Sequence, residues 1–258
     1  MSGASHVPDE LPRGFARVWQ RLAGGVIEER ECAAGRLMIW SGDDGESVAL
    51  PDRMYGLMAP SQEIVGPSDV PPGLWVHLPP GISVPDVEPH CLGHSLQANS
   101  VDEAWSALRR VGRQGVDKAR RMGCRVDELT DAEYISLAGM KAEALGGRPP
   151  APALPDALRD TFGAEHVQLT GVRYDGVPVA AVLSVRVGGY GMLIDGASNR
   201  DHWDKNPNNL AVWRAVSSLV ASGCERVDYG FSPVGAGDAR FKDHMGGRAT
   251  PLYRVFGA

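Results

Sequence analysis

In CERVDYGFSPVGAGDARFKDHMGGRATPLY, residues 224–253, a strand, a glycine loop and a charged segment follow one another without interruption. Val227, Asp228 and Tyr229 read as a buried strand, because a β-branched residue and an aromatic flank a single acid. SPVGAGD comes next, and its glycines let backbone N–H groups approach a ligand closely. Then Asp238, Arg240, Lys242, Asp243 and His244 crowd around Phe241, and Gly246-Gly247 closes the segment. A lysine held beside an aromatic in a dry crevice can stabilise developing negative charge. The same residues would also serve as a capped surface turn with solvated charges.

Outward from this stretch the chain alternates helices and strands. Asn206 caps a helix with Pro207 at its first position, running through Leu210, Trp213, Val216 and Val220 to Gly223. Before it, Val167–Tyr174, Pro178–Val187 and Tyr190–Asp195 read as strands. Asp175-Gly176 and Gly188-Gly189 link them as hairpin turns, so antiparallel neighbours are expected. Asp131–Leu145 and Pro155–Phe162 read as helices. Further upstream, Ser100-Val101-Asp102-Glu103 is a capping box that opens one long helix ending at Gly123. Val101, Trp105, Leu108, Gly112, Val116 and Ala119 form its apolar stripe. Arg109, Arg113 and Arg120 share the neighbouring face, with Arg110 and Arg121 beyond. Guanidinium groups grip phosphate oxygens bidentately, so this face suits an anionic ligand. It equally suits a solvated surface partly paired with Asp102, Glu103 and Asp117.

The first hundred residues are less regular. Met1–Pro12 reads as a loose tail and Arg13–Ala23 as an amphipathic helix closed by Gly24-Gly25. Arg36–Trp40 is a strand followed by a turn over Ser41–Gly45. Eight prolines between Pro60 and Pro89 exclude long helices, although Leu74–Leu78 fits a short strand. A small irregular sheet domain is expected here, with a boundary near Asp127.

Composition narrows the class. A chain of 258 residues can bury a sizeable core, and 43% apolar with 22% charged residues is ordinary for a soluble globular protein. A net charge of −6 argues against an extensive nucleic-acid surface but permits a local basic patch. Cys32, Cys91, Cys124 and Cys224 lie far apart, as in a reduced cytoplasmic protein. No apolar run reaches membrane-spanning length, so no membrane insertion is expected. His90-Cys91-x-x-His94 has metal-ligand residue types, but no second cluster completes a tetrahedral set, and no metal is expected.

Four segments in order carry a family resemblance. They are Arg109-Arg110-x-x-Arg113-Gln114 with Lys118-Ala119 and Gly123; Tyr190-Gly191 to Gly196-Ala197-Ser198; Asn206-Pro207-Asn208-Asn209-Leu210-Ala211-Val212-Trp213; and Asp228-Tyr229-Gly230-Phe231-Ser232 with Phe241-Lys242-x-x-x-Gly246-Gly247. From about Cys91 to the end, the sequence resembles the Fem-type transferases, peptidoglycan-bridge aminoacyltransferases of the GNAT superfamily. The resemblance implies an α+β fold of two GNAT-like lobes, the first abbreviated, over residues 1–126 and 127–258. It implies N-acyl transfer from aminoacyl-tRNA, gripped at its acceptor end, without a cofactor. The chain has no long heptad segment for the family's helical-hairpin arm, so the acceptor stays open among a small amine, a peptide and a cell-wall precursor.

By the same resemblance Lys242 steadies the oxyanion of ester aminolysis and Phe241 shapes its pocket. Asp228 is a candidate to orient the amine or accept its proton, or else a structural acid bonding loop N–H groups. Arg109, Arg113, Arg120, Arg240, Tyr190 and Tyr229 are candidate substrate contacts. Ser198–Pro207, where acetyl-CoA-dependent relatives carry a glycine-rich pyrophosphate loop, has no glycine and two acids. The alternatives are an acyl-CoA-dependent N-acetyltransferase and a non-catalytic GNAT-like binding module.

Overall fold

A computed structural model describes residues 8, 10–41, 47–48, 57–58, 64–72, 74–78 and 82–258. In chain order its elements are α1 (Glu10–Ala23), β1 (Val26–Cys32), β2 (Gly35–Ser41), β3 (Ser47–Val48), β4 (Leu57–Met58), β5 (Trp75–His77), β6 (Cys91–Gln97), α2 (Val101–Ala107), α3 (Arg110–Arg121) and β7 (Arg125–Asp127). There follow α4 (Asp131–Leu145), α5 (Leu154–Phe162), β8 (Val167–Tyr174), β9 (Val177–Val187), β10 (Tyr190–Ser198), α6 (Pro207–Ala221), β11 (Arg226–Pro233), α7 (Gly237–His244), β12 (Arg248–Leu252) and β13 (Arg254–Phe256). The class is α+β. The first helix begins at Glu10, so residues 10–12 of the expected tail are helical; most of the turn expected over Ser41–Gly45 lies outside the described residues.

Two compact units interleave along the chain: Met1–Gly93 with Phe231–Ala239 and Ala249–Ala258, and His94–Gly230 with Arg240–Arg248. The division expected near Asp127 falls at the end of β7, inside the second unit. There β7 pairs antiparallel with β8, which ties the chain on both sides of Asp127 into one sheet. In the first unit β1 and β2 form an antiparallel hairpin, with β3 and β4 both pairing β2. β13 pairs β5, and β12 pairs β6. Leu37, Ile39, Val65, Val76, Leu78 and Val255 are among its buried core.

The second unit is built on strands in the order β6-β11-β10-β9-β8-β7. Antiparallel hairpins join β8 to β9 and β9 to β10, as the Asp-Gly and Gly-Gly turns predict. β10 and β11 are parallel, and their ladder holds only over Tyr190–Met192 and Arg226–Asp228 before the strands part. A bulge interrupts β10, whose register against β9 passes from Leu193 to Asp195. α2, α3 and α6 cover one face around Leu108, Val116, Leu210, Trp213, Val227 and Tyr229.

The long helix expected from Ser100 to Gly123 is two helices. Leu108 and Arg109 adopt extended backbone, with ψ of 135° and 158°. Ser100 Oγ accepts from the Glu103 N–H as expected, while the Glu103 carboxylate reaches the Asn99 N–H. At the break, the Arg109 N–H donates to His244 O at 3.0 Å, so the bond lost from the helix is regained across the unit.

Candidate active site

α7 carries Phe241 and Lys242, a segment the sequence presents as the sequel to a glycine loop rather than as a helix. Its C-terminus closes in a Schellman motif: the Gly247 N–H donates to Lys242 O at 2.9 Å, with Gly246 at φ +91°. The glycine pair noted in the sequence therefore has a geometric reason. Three further contacts fix that helix end. Tyr229 Oη donates to Met245 O at 2.8 Å, Arg109 Nη2 pairs with Asp243 Oδ1 at 2.7 Å, and Asn209 Nδ2 lies 3.4 Å from Met245 Sδ. Burial pushes the Tyr229 phenol far up, so this hydroxyl stays a donor. Phe241 packs against the core cluster and Lys242 is half-buried.

Asp228 stands at the last rung of the β10–β11 ladder and is 2% exposed. Its carboxylate accepts from Tyr190 Oη and from the Gly230 N–H, both at 2.6 Å. Arg226 lies 5.7 Å from the Tyr190 ring centroid. Asp228 and Tyr190 thus come together, whereas Tyr229, one residue on, points to the opposite face with α7. Asp228→Ala is expected to lower stability by about 1–3 kcal/mol, because the buried Tyr190 hydroxyl and the half-buried Gly230 N–H lose their acceptor. Asp228→Asn is expected to melt near wild type, and thermal denaturation of the pair checks this.

The arginines separate. Arg109 lies outside the helices and is engaged with Asp243. Arg113 Nη1 donates to Leu108 O and to Ser106 O, capping the end of α2. Arg120 is exposed, 3.7 Å from Asp117, and Arg240 is exposed on α7. The continuous arginine face expected of one helix is therefore broken at Leu108–Arg109. Arg113→Ala is expected to lower stability by about 1 kcal/mol or more, since it uncovers the Leu108 carbonyl; denaturant midpoints measure the loss.

One cluster was not anticipated. Lys141, on α4, donates to Asp195 Oδ1 at 3.2 Å and to Gly196 O at 2.5 Å, and Tyr134 Oη reaches Asp195 Oδ2 at 2.9 Å. These bonds brace β10 beside its bulge. Only the tertiary fold brings residues 134, 141 and 195 together. Among the described residues no group of three His, Cys, Asp or Glu side chains is placed to hold a metal ion, and no helix is long and apolar enough to cross a membrane.

The Acetyltransferase (GNAT) domain family matches residues 104–243, more than half of the chain. The chain belongs to that family. Its membership makes the protein an acyltransferase of the GNAT superfamily, and the matched region holds α3, the parting strands and α7 as far as Asp243. No curated protein matches it in sequence. Among solved structures it is similar to FemX, at 13% identity and a TM-score of 0.66, over 92% of this chain and 89% of that one. It is also similar to a conserved protein of unknown function from Bacteroides thetaiotaomicron (9% identity, TM-score 0.59, 97% and 90% covered). A GCN5-related N-acetyltransferase from Kribbella flavida matches at 12% identity and a TM-score of 0.54, over 96% and 94%. At these identities the likeness is one of fold.

Proposed function

We propose that this GNAT-family chain transfers an aminoacyl group from aminoacyl-tRNA to the amine of a small molecule, peptide or cell-wall precursor in the cytoplasm. The second unit would be the catalytic lobe and the first an abbreviated GNAT-like lobe. The observation that carries the donor assignment is the segment joining β10 to α6. It forms a 3-10 turn over Arg200–Lys205, anchored by Trp203 Nε1 and Asn208 Nδ2 on Ser198 Oγ at 2.8 and 2.9 Å. Asp201 and Asp204 stand in this turn, Pro207 brings no N–H to the first helical position, and the Asn209 N–H is taken by Asn206 O. A pyrophosphate needs the opposite: free N–H groups and no like charge.

The chemistry is direct aminolysis. The neutral amine attacks the ester carbonyl, a C–N bond forms, and the ammonium of Lys242 steadies the oxyanion. Collapse breaks the C–O bond; the ribose oxygen leaves and takes up a proton, while the amine gives one to a nearby group or water. Asp228, bonded to Tyr190 Oη and the Gly230 N–H, orients the strand end and Tyr190. Family membership itself favours the second reading, an acetyl-CoA-dependent N-acetyltransferase. Incubating the protein with charged tRNA or acetyl-CoA and a panel of amines, read by mass spectrometry, separates the two. An aminoacylated amine formed only with charged tRNA is the expected product.

A further inference from the structure

We propose that the cavity between the end of α3, β7 and α6 is a second binding site, one that takes a small organic carboxylate carrying one apolar ring. Lys242 does not line it, and the site stands whichever donor the transfer reaction uses. The cavity follows from how α3 ends. The helix stops at Arg121, Gly123 turns the chain at φ +89°, and β7 follows as a three-residue edge strand. Behind this turn runs α6, with Leu210, Trp213, Arg214 and Ser217 on one face at helical spacing. Between them and Arg120, Cys124 and Val126 lies a space of about 190 Å³. A cavity of about 150 Å³ is enough to take one benzene ring.

Its floor is apolar and its mouth cationic. Leu210 and Trp213 are buried, and the Trp213 ring is fixed edge-on against Trp105, with centroids 4.8 Å apart. Burial pushes the Cys124 thiol up, so it stays neutral and adds to the apolar wall. Arg120 and Arg214, by contrast, are exposed. Among the described residues no acid pairs with Arg214 and no acceptor takes the Trp213 indole N–H, although Trp213 is only 7% exposed. Asp117 lies 3.7 Å from Arg120, but both are half-exposed, and such a pairing competes weakly with a ligand. Asp127, next to Val126, is held by Arg173 at 3.0 Å. Both guanidinium groups are therefore open to an anion, and a ligand oxygen would find the indole N–H as a further donor. Inorganic phosphate would satisfy the arginines but leave the apolar floor in water. A ring bearing one carboxylate uses both halves of the site.

The test is calorimetric titration of the full chain with phenylacetate, for which saturable binding at one site is expected. Arg120→Ala and Arg214→Ala should each weaken it about 10-fold, the loss of one charge-assisted contact. Both positions are exposed, so melting temperatures should stay near wild type. Arg214→Lys should recover part of the loss, since it keeps the charge without the planar fork. Phenylacetamide, of the same shape but uncharged, should bind at least about 10-fold more weakly. Lys242→Ala should bind phenylacetate like the wild type. Absence of saturable binding, wild-type affinity in the Arg120→Ala/Arg214→Ala double variant, or equal affinity for phenylacetamide or inorganic phosphate overturns the proposal. Loss of binding in Lys242→Ala would move the ligand to the reaction centre and overturns it equally. No donor enters this experiment, so its failure leaves transfer from aminoacyl-tRNA untouched.

Discussion

Lys242→Ala is expected to fold like the wild type and to lose about 10²–10³ in turnover, the usual consequence of removing one donor to an oxyanion. Fold retention follows from how α7 is held. The Lys242 and Met245 carbonyls, the Asp243 carboxylate and the Phe241 ring are among its anchors, and all stay in place in Lys242→Ala. The loss should appear in kcat rather than KM, because the charge it stabilises exists only in the transition state. Lys242→Arg is expected to be impaired as well, since a planar fork does not replace a compact ammonium. Single-turnover rates beside melting temperatures measure both effects. A Lys242→Ala enzyme with near wild-type kcat would remove Lys242 from the reaction.

Gly112→Ala is expected to be the most damaging small substitution in α3. A Cβ there would lie against His244 O, closer than real Cβ atoms approach, and the atom it meets is backbone. Either α3 moves away or α7 does. Overpacking of this kind lowers stability by about 1–3 kcal/mol. For a chain of this length that is a fall of about 2–4 °C per kcal/mol in melting temperature. Activity should fall further than stability, because the displaced carbonyl accepts the Arg109 N–H and helps hold the helix of Lys242. Gly139, on α4, is the control. Nothing lies within 4 Å of a Cβ built there, so Gly139→Ala is expected to gain roughly 0.5–1 kcal/mol. Thermal melts of the two variants should shift in opposite directions.

What the sequence disclosed and withheld has a physical division. Hairpins were legible because Asp-Gly and Gly-Gly turns are local, and β8 spans the predicted Val167–Tyr174. Asp131–Leu145 was legible because Thr130 and Glu133 form a capping box and Gly146 a left-handed stop. The break at Leu108–Arg109 was not, since no proline or glycine marks it. It exists because His244 O, far along the chain, supplies the acceptor for Arg109, and Gly112 lets that carbonyl approach. α7 was hidden for a related reason: its sequence is glycine-flanked and polar, and tertiary contacts hold it. Within the candidate site, the hydrogen bonds at Asp228 match the structural alternative set beside its catalytic one. The pairing of Arg109 with Asp243 and the capping by Arg113 could not be read from a helical wheel that assumed one helix.

The donor distinguishes aminoacyl transfer from acetyl transfer. A lysate-derived assay with amino acid, ATP, synthetase, tRNA and a panel of amines, run with and without ribonuclease and in parallel with acetyl-CoA, tests it most directly. Product formation that ribonuclease abolishes, with no acylation from acetyl-CoA, is the expected result. Ribonuclease-resistant product that depends on acetyl-CoA would contradict it.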